Sequence, residues 1–114
     1  MLIKYVKNID AVTKKGEAPL HYACSNKEVT VAELLIRAKA DLNAQDKYGN
    51  TPLHNASYHC SSDILGLMMT KRPREEVKRA LALRSTEGDS ALDYACSNCH
   101  VDIAKQLIEA GADV

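Results

Sequence analysis

The side chains with the clearest chemical potential lie near the end of the chain. Residues 96–100 read Cys-Ser-Asn-Cys-His, which is the spacing at which c-type haem is attached to a protein. Haem iron also needs axial ligands, and neither a methionine nor a second histidine is obviously placed to complete them. The first residues meet a lysine at position 4 and show no signal-peptide pattern, so we expect no export. We therefore expect no haem.

Zinc is a second chemistry open to these residues. It needs four ligands in a tetrahedral array, and the pair His59-Cys60 could approach Cys99-His100 if the segments that carry them are neighbours. The competing interpretation is free thiols that behave as small, buried or half-buried apolar groups, since no secretory signal directs the chain to an oxidising compartment. We predict no metal and no cofactor. A metal or redox site centred on Cys60, Cys96, Cys99 and His100 is kept as an alternative.

An internal repeat indicates which elements carry these side chains. Residues 16–23 read Gly-Glu-Ala-Pro-Leu-His-Tyr-Ala, residues 49–56 read Gly-Asn-Thr-Pro-Leu-His-Asn-Ala, and residues 88–95 read Gly-Asp-Ser-Ala-Leu-Asp-Tyr-Ala. The second copy starts 33 positions after the first, and the third starts 39 positions after the second. About six residues are therefore inserted within the second unit.

Each copy has the features of a helical hairpin. Gly49 permits a positive φ at the tip of a turn, and Thr51 followed by Pro52 supplies an N-cap and a first-turn proline for a helix. A second helix is predicted to open near Asp63, with apolar residues three and four positions apart. The matching second helices are predicted over residues 31–37 and 103–109. Because one small hairpin cannot bury its own apolar stripe, the pattern predicts a stack of hairpins.

The Thr-Pro-Leu-His-x-Ala segment at residues 51–56, the period, and the outgoing segments at residues 40–44 and 111–114 resemble the ankyrin repeat. The resemblance covers essentially the whole chain. It implies an all-α ankyrin-repeat solenoid of stacked helix-turn-helix units joined by β-hairpin-like turns. It also implies that His21 and His54 hydrogen-bond adjacent turns rather than catalyse a reaction, and we expect no enzyme. The implied organisation is one domain over residues 1–114, with a partial repeat at 1–12, repeat 1 at 13–45, repeat 2 at 46–84 with an insertion near 72–79, and repeat 3 at 85–114.

The chain departs from the family pattern at several glycine positions. Lys39 stands where the pattern has Gly after a second helix, and Lys27, Cys60 and Cys99 replace the Gly between helices. Each replacement is expected to add left-handed backbone strain. In the third copy Ala91 and Asp93 replace Pro and His, so this copy is the most degenerate of the three.

The two ends of the chain interrupt the repeat. The sequence begins inside a repeat, and it stops soon after Leu107 and Ile108, where the family pattern would continue. We expect a piece of a longer protein. Because terminal repeats normally carry a polar outer face, we also expect marginal stability or weak self-association through the uncapped ends.

The resemblance implies a partner-binding surface on the concave face, formed by the turn tips and the outer side of each first helix. Tyr48 and Tyr58 are the strongest candidates, since tyrosine offers a large contact area at low entropic cost. The competing interpretation is that these are ordinary solvated residues. Carried over position by position, the surface consists of Lys14, Lys15, Glu17, Ser25 and Asn26, then Lys47, Tyr48, Asn50, Tyr58 and His59, then Thr86, Glu87, Asp89, Ser97 and Asn98.

The inserted stretch at residues 71–81 reads Lys-Arg-Pro-Arg-Glu-Glu-Val-Lys-Arg-Ala-Leu. Its acids precede its bases after Pro73, as a short extra helix prefers for its dipole, and we expect an enlarged loop that docks a specific partner. The Lys-Arg-Pro-Arg run also resembles a minimal nuclear-import signal, although such runs are usually solvated charge. Glu75 and Glu76 interrupt the basic run and no aromatic residue interleaves, so no nucleic-acid site is predicted.

The composition narrows the class of function. Lysine plus arginine equals aspartate plus glutamate at 15 each, so no overall field draws the chain toward nucleic acid or anionic lipid, and a charged partner must contact a local patch. The apolar runs fall short of the roughly 20 residues of a membrane span. We predict a cytoplasmic or nuclear, non-catalytic module that binds a protein partner. The alternative is a structural spacer within a longer chain.

Overall fold

The computed structural model describes residues 12–98 and 100–111 of the chain. Those residues form seven helices and no strand, which confirms the predicted all-α fold. The helices are α1 (Pro19–Ser25), α2 (Val29–Arg37), α3 (Pro52–Tyr58), α4 (Ser62–Lys71), α5 (Arg74–Ala82), α6 (Ala91–Ser97) and α7 (Val101–Glu109).

The helices pack as three stacked hairpins with one additional helix. The hairpins are α1–α2, α3–α4 and α6–α7, and α5 packs against α4 between the second and the third. The first helices form one layer, in which α3 lies between α1 and α6, and the second helices form another, in which α4 lies between α2 and α7. This two-layer arrangement is that of a helical solenoid.

The core follows the interface between the layers and is aliphatic. Leu53, Ile64 and Met68 of the middle hairpin are fully buried, because the hairpins on both sides cover them. In α7, Leu107 is also fully buried, whereas Ile108 is exposed. Of the two residues expected to leave an uncapped apolar end, Leu107 therefore packs inside the core.

Three turns of the same construction precede the first helices, at residues 13–17 (tip 1), 46–50 (tip 2) and 85–89 (tip 3). In each, the glycine N–H donates to the carbonyl of the first residue, over 2.8 to 2.9 Å, and the Thr13, Asp46 or Ser85 side chain accepts backbone N–H bonds from two later residues. Neighbouring tips are joined by backbone hydrogen bonds of 2.8 Å, from Lys47 N to Lys15 O and from Thr86 N to Tyr48 O. The tips therefore form one continuous hydrogen-bonded edge.

The helix starts follow the predicted chemistry. Thr51 is the N-cap of α3, its side chain accepting from the His54 N–H, and Pro52 is the first helical residue. Ser90 caps α6 in the same way. Each cap satisfies a backbone donor that the first turn of a helix leaves unpaired.

The two histidines of the repeat hold the tips in place. His54 accepts the Thr51 backbone N–H at Nδ1 (3.1 Å) and donates from Nε2 to the Asp89 carbonyl (2.9 Å). His21 bonds the Ala18 N–H (3.0 Å) and the Asn50 carbonyl (2.8 Å) in the same pattern. Each imidazole thus joins the start of its helix to the next tip, which is the expected structural use of histidine. Burial lowers the pKa of His54 and so favours the neutral ring that this bonding needs.

The replaced glycines adopt the conformation that glycine favours. Lys27, Lys39 and Cys60 have φ of 56°, 70° and 58°, in the left-handed region that costs a side-chain-bearing residue free energy. The expected strain is thus present at these three positions. Cys99, the fourth, lies outside the described residues.

The inserted stretch forms α5, as its charge order predicted. Val77, Ala80 and Leu81 bury one face of this helix. Arg72, just before it, keeps only 7% of its side chain exposed, donates to the Ala40 carbonyl (2.7 Å) and pairs with Glu76. Because Arg72 is engaged, the Lys-Arg-Pro-Arg run is not a free string of cations. Nuclear import through this run stays a prediction.

Candidate functional site

Side chains from all three hairpins meet at one concavity of about 330 Å³, here called the concave cleft. Tips 1, 2 and 3 each contribute to it, and so do the exposed sides of α1, α3 and α6. Eight residues expected on the partner-binding surface are among those that line it. The lining consists of Glu17, Ser25, Asp46, Tyr48, Asn50, Asn55, Tyr58, His59, Glu87, Asp89 and Tyr94.

Tyrosine rings form the walls of the concave cleft. Tyr58 and Tyr94 meet edge to face, with centroids 5.9 Å apart, and Tyr94 meets His54 in the same way at 5.2 Å. The Tyr94 hydroxyl donates to the Asn50 side-chain oxygen (2.8 Å), which fixes the ring between tip 2 and α6. Tyr48 and Tyr58 remain 49% and 53% exposed. Their ring surface is therefore available for contact with another molecule.

Carboxylates give the cleft its charge. Asp46 is buried and satisfied, accepting the Tyr48 and Asn50 backbone N–H groups at 2.9 Å each. By contrast, the Glu87 and Asp89 carboxylates form no ion pair and no side-chain hydrogen bond with any other described residue. These two acids are consequently free to pair with a group from outside.

Two other titratable side chains report on the electrostatics of this region. The Glu17 carboxylate raises the pKa of Tyr22, chiefly as a side-chain hydrogen-bond partner. Burial, followed by the charge of Lys27, lowers the pKa of His59. His59 is therefore neutral near pH 7, and it adds a polar ring rather than a positive charge to the cleft.

Other predicted surface residues lie outside the cleft. Lys14, Lys15, Lys47 and Thr86 are exposed on the tips, and the Lys47 ammonium lies 5.1 Å from the centroid of the Tyr48 ring. Ser97 is exposed at the end of α6. The amides of Asn26 and Asn98 donate to the Tyr22 and Tyr94 carbonyls, so they satisfy the ends of their own helices. The predicted surface thus divides into a cleft, a basic rim and two helix ends.

Sequence reasoning missed Asn55 and Tyr94, which occupy the same slot in the second and third copies. Asn55 donates to the His21 carbonyl (3.2 Å) and the Ser25 hydroxyl (3.0 Å), joining α3 to α1. A signal was present, since Asn55 lies one helical turn before Tyr58 and shares its side of α3. Asp46, also outside the predicted surface, holds the backbone of tip 2 through its hydrogen bonds to the Tyr48 and Asn50 N–H groups.

The expectation that the thiols are buried or half-buried holds for Cys24 and is wrong for Cys60 and Cys96, which are exposed. Cys24 is covered by the second hairpin, whose Ser61 hydroxyl donates to the Cys24 carbonyl (2.9 Å), and burial raises its pKa. Cys96 fills the same slot in α6, where no described hairpin covers it, and Cys60 lies in the outer turn between α3 and α4. Cys99 is outside the described residues.

The histidine of the haem-like run also has a structural contact. His100 bonds the Tyr58 carbonyl through Nε2 (3.2 Å), between the second and third hairpins. In the described part of the chain, no group of three or more His, Cys, Asp and Glu side chains could hold a metal ion. None of the helices there is long and apolar enough to cross a membrane.

Comparisons with known proteins agree with the repeat. Residues 1–79 match the family model described as ankyrin repeats (3 copies), and residues 87–114 match the model of a single ankyrin repeat. The chain is 32% identical over 108 residues to SMC5-SMC6 complex localization factor protein 1 of Homo sapiens, covering 94% of this chain and 10% of that protein.

Two further relatives match over 98 residues, or 86% of the chain. The nuclear factor NF-kappa-B p105 subunit of Gallus gallus is 33% identical, with 10% of that protein covered. NF-kappa-B inhibitor alpha of Sus scrofa is 30% identical, with 31% covered. The chain thus spans between a tenth and a third of the length of these relatives.

Proposed function

Since this chain belongs to the ankyrin-repeat family, whose repeats are generally protein–protein interaction modules, we propose that it is a non-catalytic module whose concave cleft binds a protein partner. One observation carries the proposal. Side chains from three separate tips and three first helices line a single concavity in which two tyrosines are half-exposed. Aromatic residues on a concave surface are characteristic of interface hot spots.

The mechanism is rigid display. Backbone bonds between tips, the imidazole bonds of His21 and His54, and the Tyr94–Asn50 bond hold the cleft before any partner arrives. A pre-organised surface loses little conformational entropy on docking, so more of the contact free energy appears as affinity. Both histidines are engaged in these bonds, which argues for scaffolding and against acid–base catalysis.

The names of the relatives are compatible with a protein partner. One is named as a localization factor of the SMC5-SMC6 complex and another as an inhibitor of NF-kappa-B. Neither name identifies the partner of this chain, because ankyrin folds with different surface residues bind different proteins. Partner choice must follow from the residues of the cleft itself.

The test is differential capture from cell extract followed by a binding measurement. The intact chain, Tyr48→Ala/Tyr58→Ala, and a control with Val101→Ala/Ile108→Ala are immobilised and the retained proteins are quantified by mass spectrometry. The control also removes exposed apolar surface, but from α7 and outside the cleft. A retained protein is then purified, and its Kd for each variant is measured.

We expect the double tyrosine variant to bind at least tenfold more weakly, since truncating a hot-spot tyrosine costs about 1–2 kcal/mol, and we expect the control to bind as the intact chain does. Far-UV circular dichroism must show equal helicity in all three. Identical partner sets and equal Kd values for the intact chain and the tyrosine variant would instead favour the spacer hypothesis or docking on α5.

A further inference from the structure

We infer that the concave cleft recognises an extended basic segment of the partner and takes one lysine or arginine side chain between the tyrosines and the tip 3 acids, Glu87 and Asp89. The inference rests on the proposed function and narrows it to a chemical class of ligand. It follows from the negative charge of the lining, from the lack of ion pairs at Glu87 and Asp89 among the described residues, and from the orientation of the tyrosine rings.

The lining carries negative charge and no fixed positive charge. Glu17, Asp46, Glu87 and Asp89 contribute carboxylates, and the one basic residue in the lining, His59, is partly buried. The chain as a whole is neutral, so this imbalance is local. A concave surface of one sign focuses the field and attracts ligands of the opposite sign.

Glu87 and Asp89 are the acids that can serve a ligand. They lie two positions apart on tip 3 and form no ion pair within the described residues. The backbone beneath them is fixed, since the Ser85 hydroxyl accepts the N–H of both residues (3.3 and 3.2 Å) and the Asp89 carbonyl accepts His54 Nε2. A cation that enters here meets two positioned carboxylates, and neither needs to break an existing pair.

The rings of the cleft suit a cation as well. The Lys47 ammonium at 5.1 Å from the Tyr48 ring centroid is a cation–π contact already made within the chain. Tyr58 and Tyr94 stand edge to face, so their ring faces point in different directions and can contact the aliphatic stem of a long basic side chain. Both parts of a lysine or arginine, the stem and the charged head, thus find matching surface.

The rim limits how much positive charge the ligand can carry. Lys14, Lys15 and Lys47 are exposed on tips 1 and 2, next to the cleft. A uniformly basic polymer would be repelled there, whereas a segment with one or two cations among neutral residues would not. A nucleic acid would meet the unpaired carboxylates, and a divalent metal ion would lack a third ligand within the described residues.

The experiment uses phage-displayed random linear peptides selected on the intact chain and, in parallel, on Tyr48→Ala/Tyr58→Ala. Peptides enriched only on the intact chain are synthesised with a fluorescent label, and Kd is measured by anisotropy against three forms. These are the intact chain, Glu87→Gln/Asp89→Asn, and the charge-matched control Glu75→Gln/Glu109→Gln. Glu75 and Glu109 are exposed on α5 and α7, outside the concave cleft.

We expect the enriched peptides to contain an isolated lysine or arginine. Their Kd should rise about tenfold on Glu87→Gln/Asp89→Asn and less than about twofold on the control, and should rise with salt. Enriched peptides that are acidic or apolar, or an equal loss on both charge variants, would overturn the inference and leave the proposed function standing. If no peptide is enriched over the tyrosine variant, the inference fails, while the proposed function is decided by capture of a partner from cell extract.

Discussion

Gly49 of tip 2 faces the backbone of tip 3 closely, and this contact predicts a large effect from one added methyl group. Gly49 and Gly88 hold the same slot in tips 2 and 3, with φ of 79° and 87°. A Cβ built on Gly49 would lie 2.8 Å from the Thr86 nitrogen and 2.9 Å from the Ser85 Cα, both of them backbone atoms. A Cβ on Gly88 would meet no atom of the described residues within 4 Å. Gly88→Ala is therefore an internal control for Gly49→Ala.

The two substitutions share a backbone cost, and Gly49→Ala adds a packing cost. Both place an L-residue in the left-handed region, at about 1–2 kcal/mol. Gly49→Ala must also push tip 3 away, which strains the packing at a cost of about 1–3 kcal/mol and stretches the 2.8 Å bond from Thr86 N to Tyr48 O, at about 1 kcal/mol. We expect losses of about 3–6 kcal/mol for Gly49→Ala against about 1–2 kcal/mol for Gly88→Ala.

The measurement is urea unfolding at constant temperature. Far-UV circular dichroism follows the helices, and tyrosine fluorescence follows the three cleft tyrosines together with Tyr5 and Tyr22. Coincident transitions are required, because hairpins in a stack can open separately. If both variants lose the same free energy of unfolding, the close approach of the tips contributes nothing and this reasoning is refuted.

Three further predictions follow from buried groups. Burial lowers the pKa of His54 in the folded chain, so the contribution of His54 to stability is complete above the unfolded pKa of 6.5 and is lost as pH falls below that value. Between about pH 7.5 and 5.5, the urea midpoint of His54→Gln should therefore fall less than that of the intact chain. An equal fall in both proteins would contradict this. Arg72→Ala leaves the Ala40 carbonyl without its hydrogen-bond donor and should lower the free energy of unfolding by about 2–3 kcal/mol. The control Arg74→Ala, at an exposed position, should lower it by less than about 0.5 kcal/mol. Similar losses for the two variants would contradict the buried role of Arg72. An aromatic disulfide reagent should modify the exposed Cys60 and Cys96 in the native chain and spare the buried Cys24. Equal rates at these positions, followed by peptide mass spectrometry, would contradict the burial.

Much of this fold is local in origin and could be predicted from the sequence. Thr51 and Pro52 supply the N-cap and the first helical residue of α3, and the glycine slots adopt left-handed backbone where lysine or cysteine fills them as well. The histidine bonds follow from the repeat, because the same residue in each copy meets the same neighbour in the next. Because the copies repeat and stack, a local pattern in one copy predicts a contact with a residue about 30 positions away in the next.

The unpredicted features depend on which residue of a neighbouring copy, or of the insertion, a given side chain meets. Tyr94 reaches Asn50 across 44 positions, and no pattern of spacing contains that bond. The Arg72 bond to Ala40 arises because the insertion has no counterpart in the other copies. The exposure of Cys96 depends on what covers α6, whereas the identical slot at Cys24 is covered. Composition and periodicity describe each copy alone and carry no information on these neighbours.

Residues of three hairpins line the concave cleft, so partner binding depends on whether all three hairpins stay packed together. In a linear array each hairpin contacts only its neighbours, so local opening can detach α6–α7 while the rest stays folded. Detachment carries Glu87, Asp89 and Tyr94 away from the other lining residues. A ligand that touches all three hairpins binds only the docked state, and by mass action it raises the population of that state. The partner would thus hold the third hairpin against the second, and amide hydrogen exchange would slow far more in α6 and α7 than in α1 and α2.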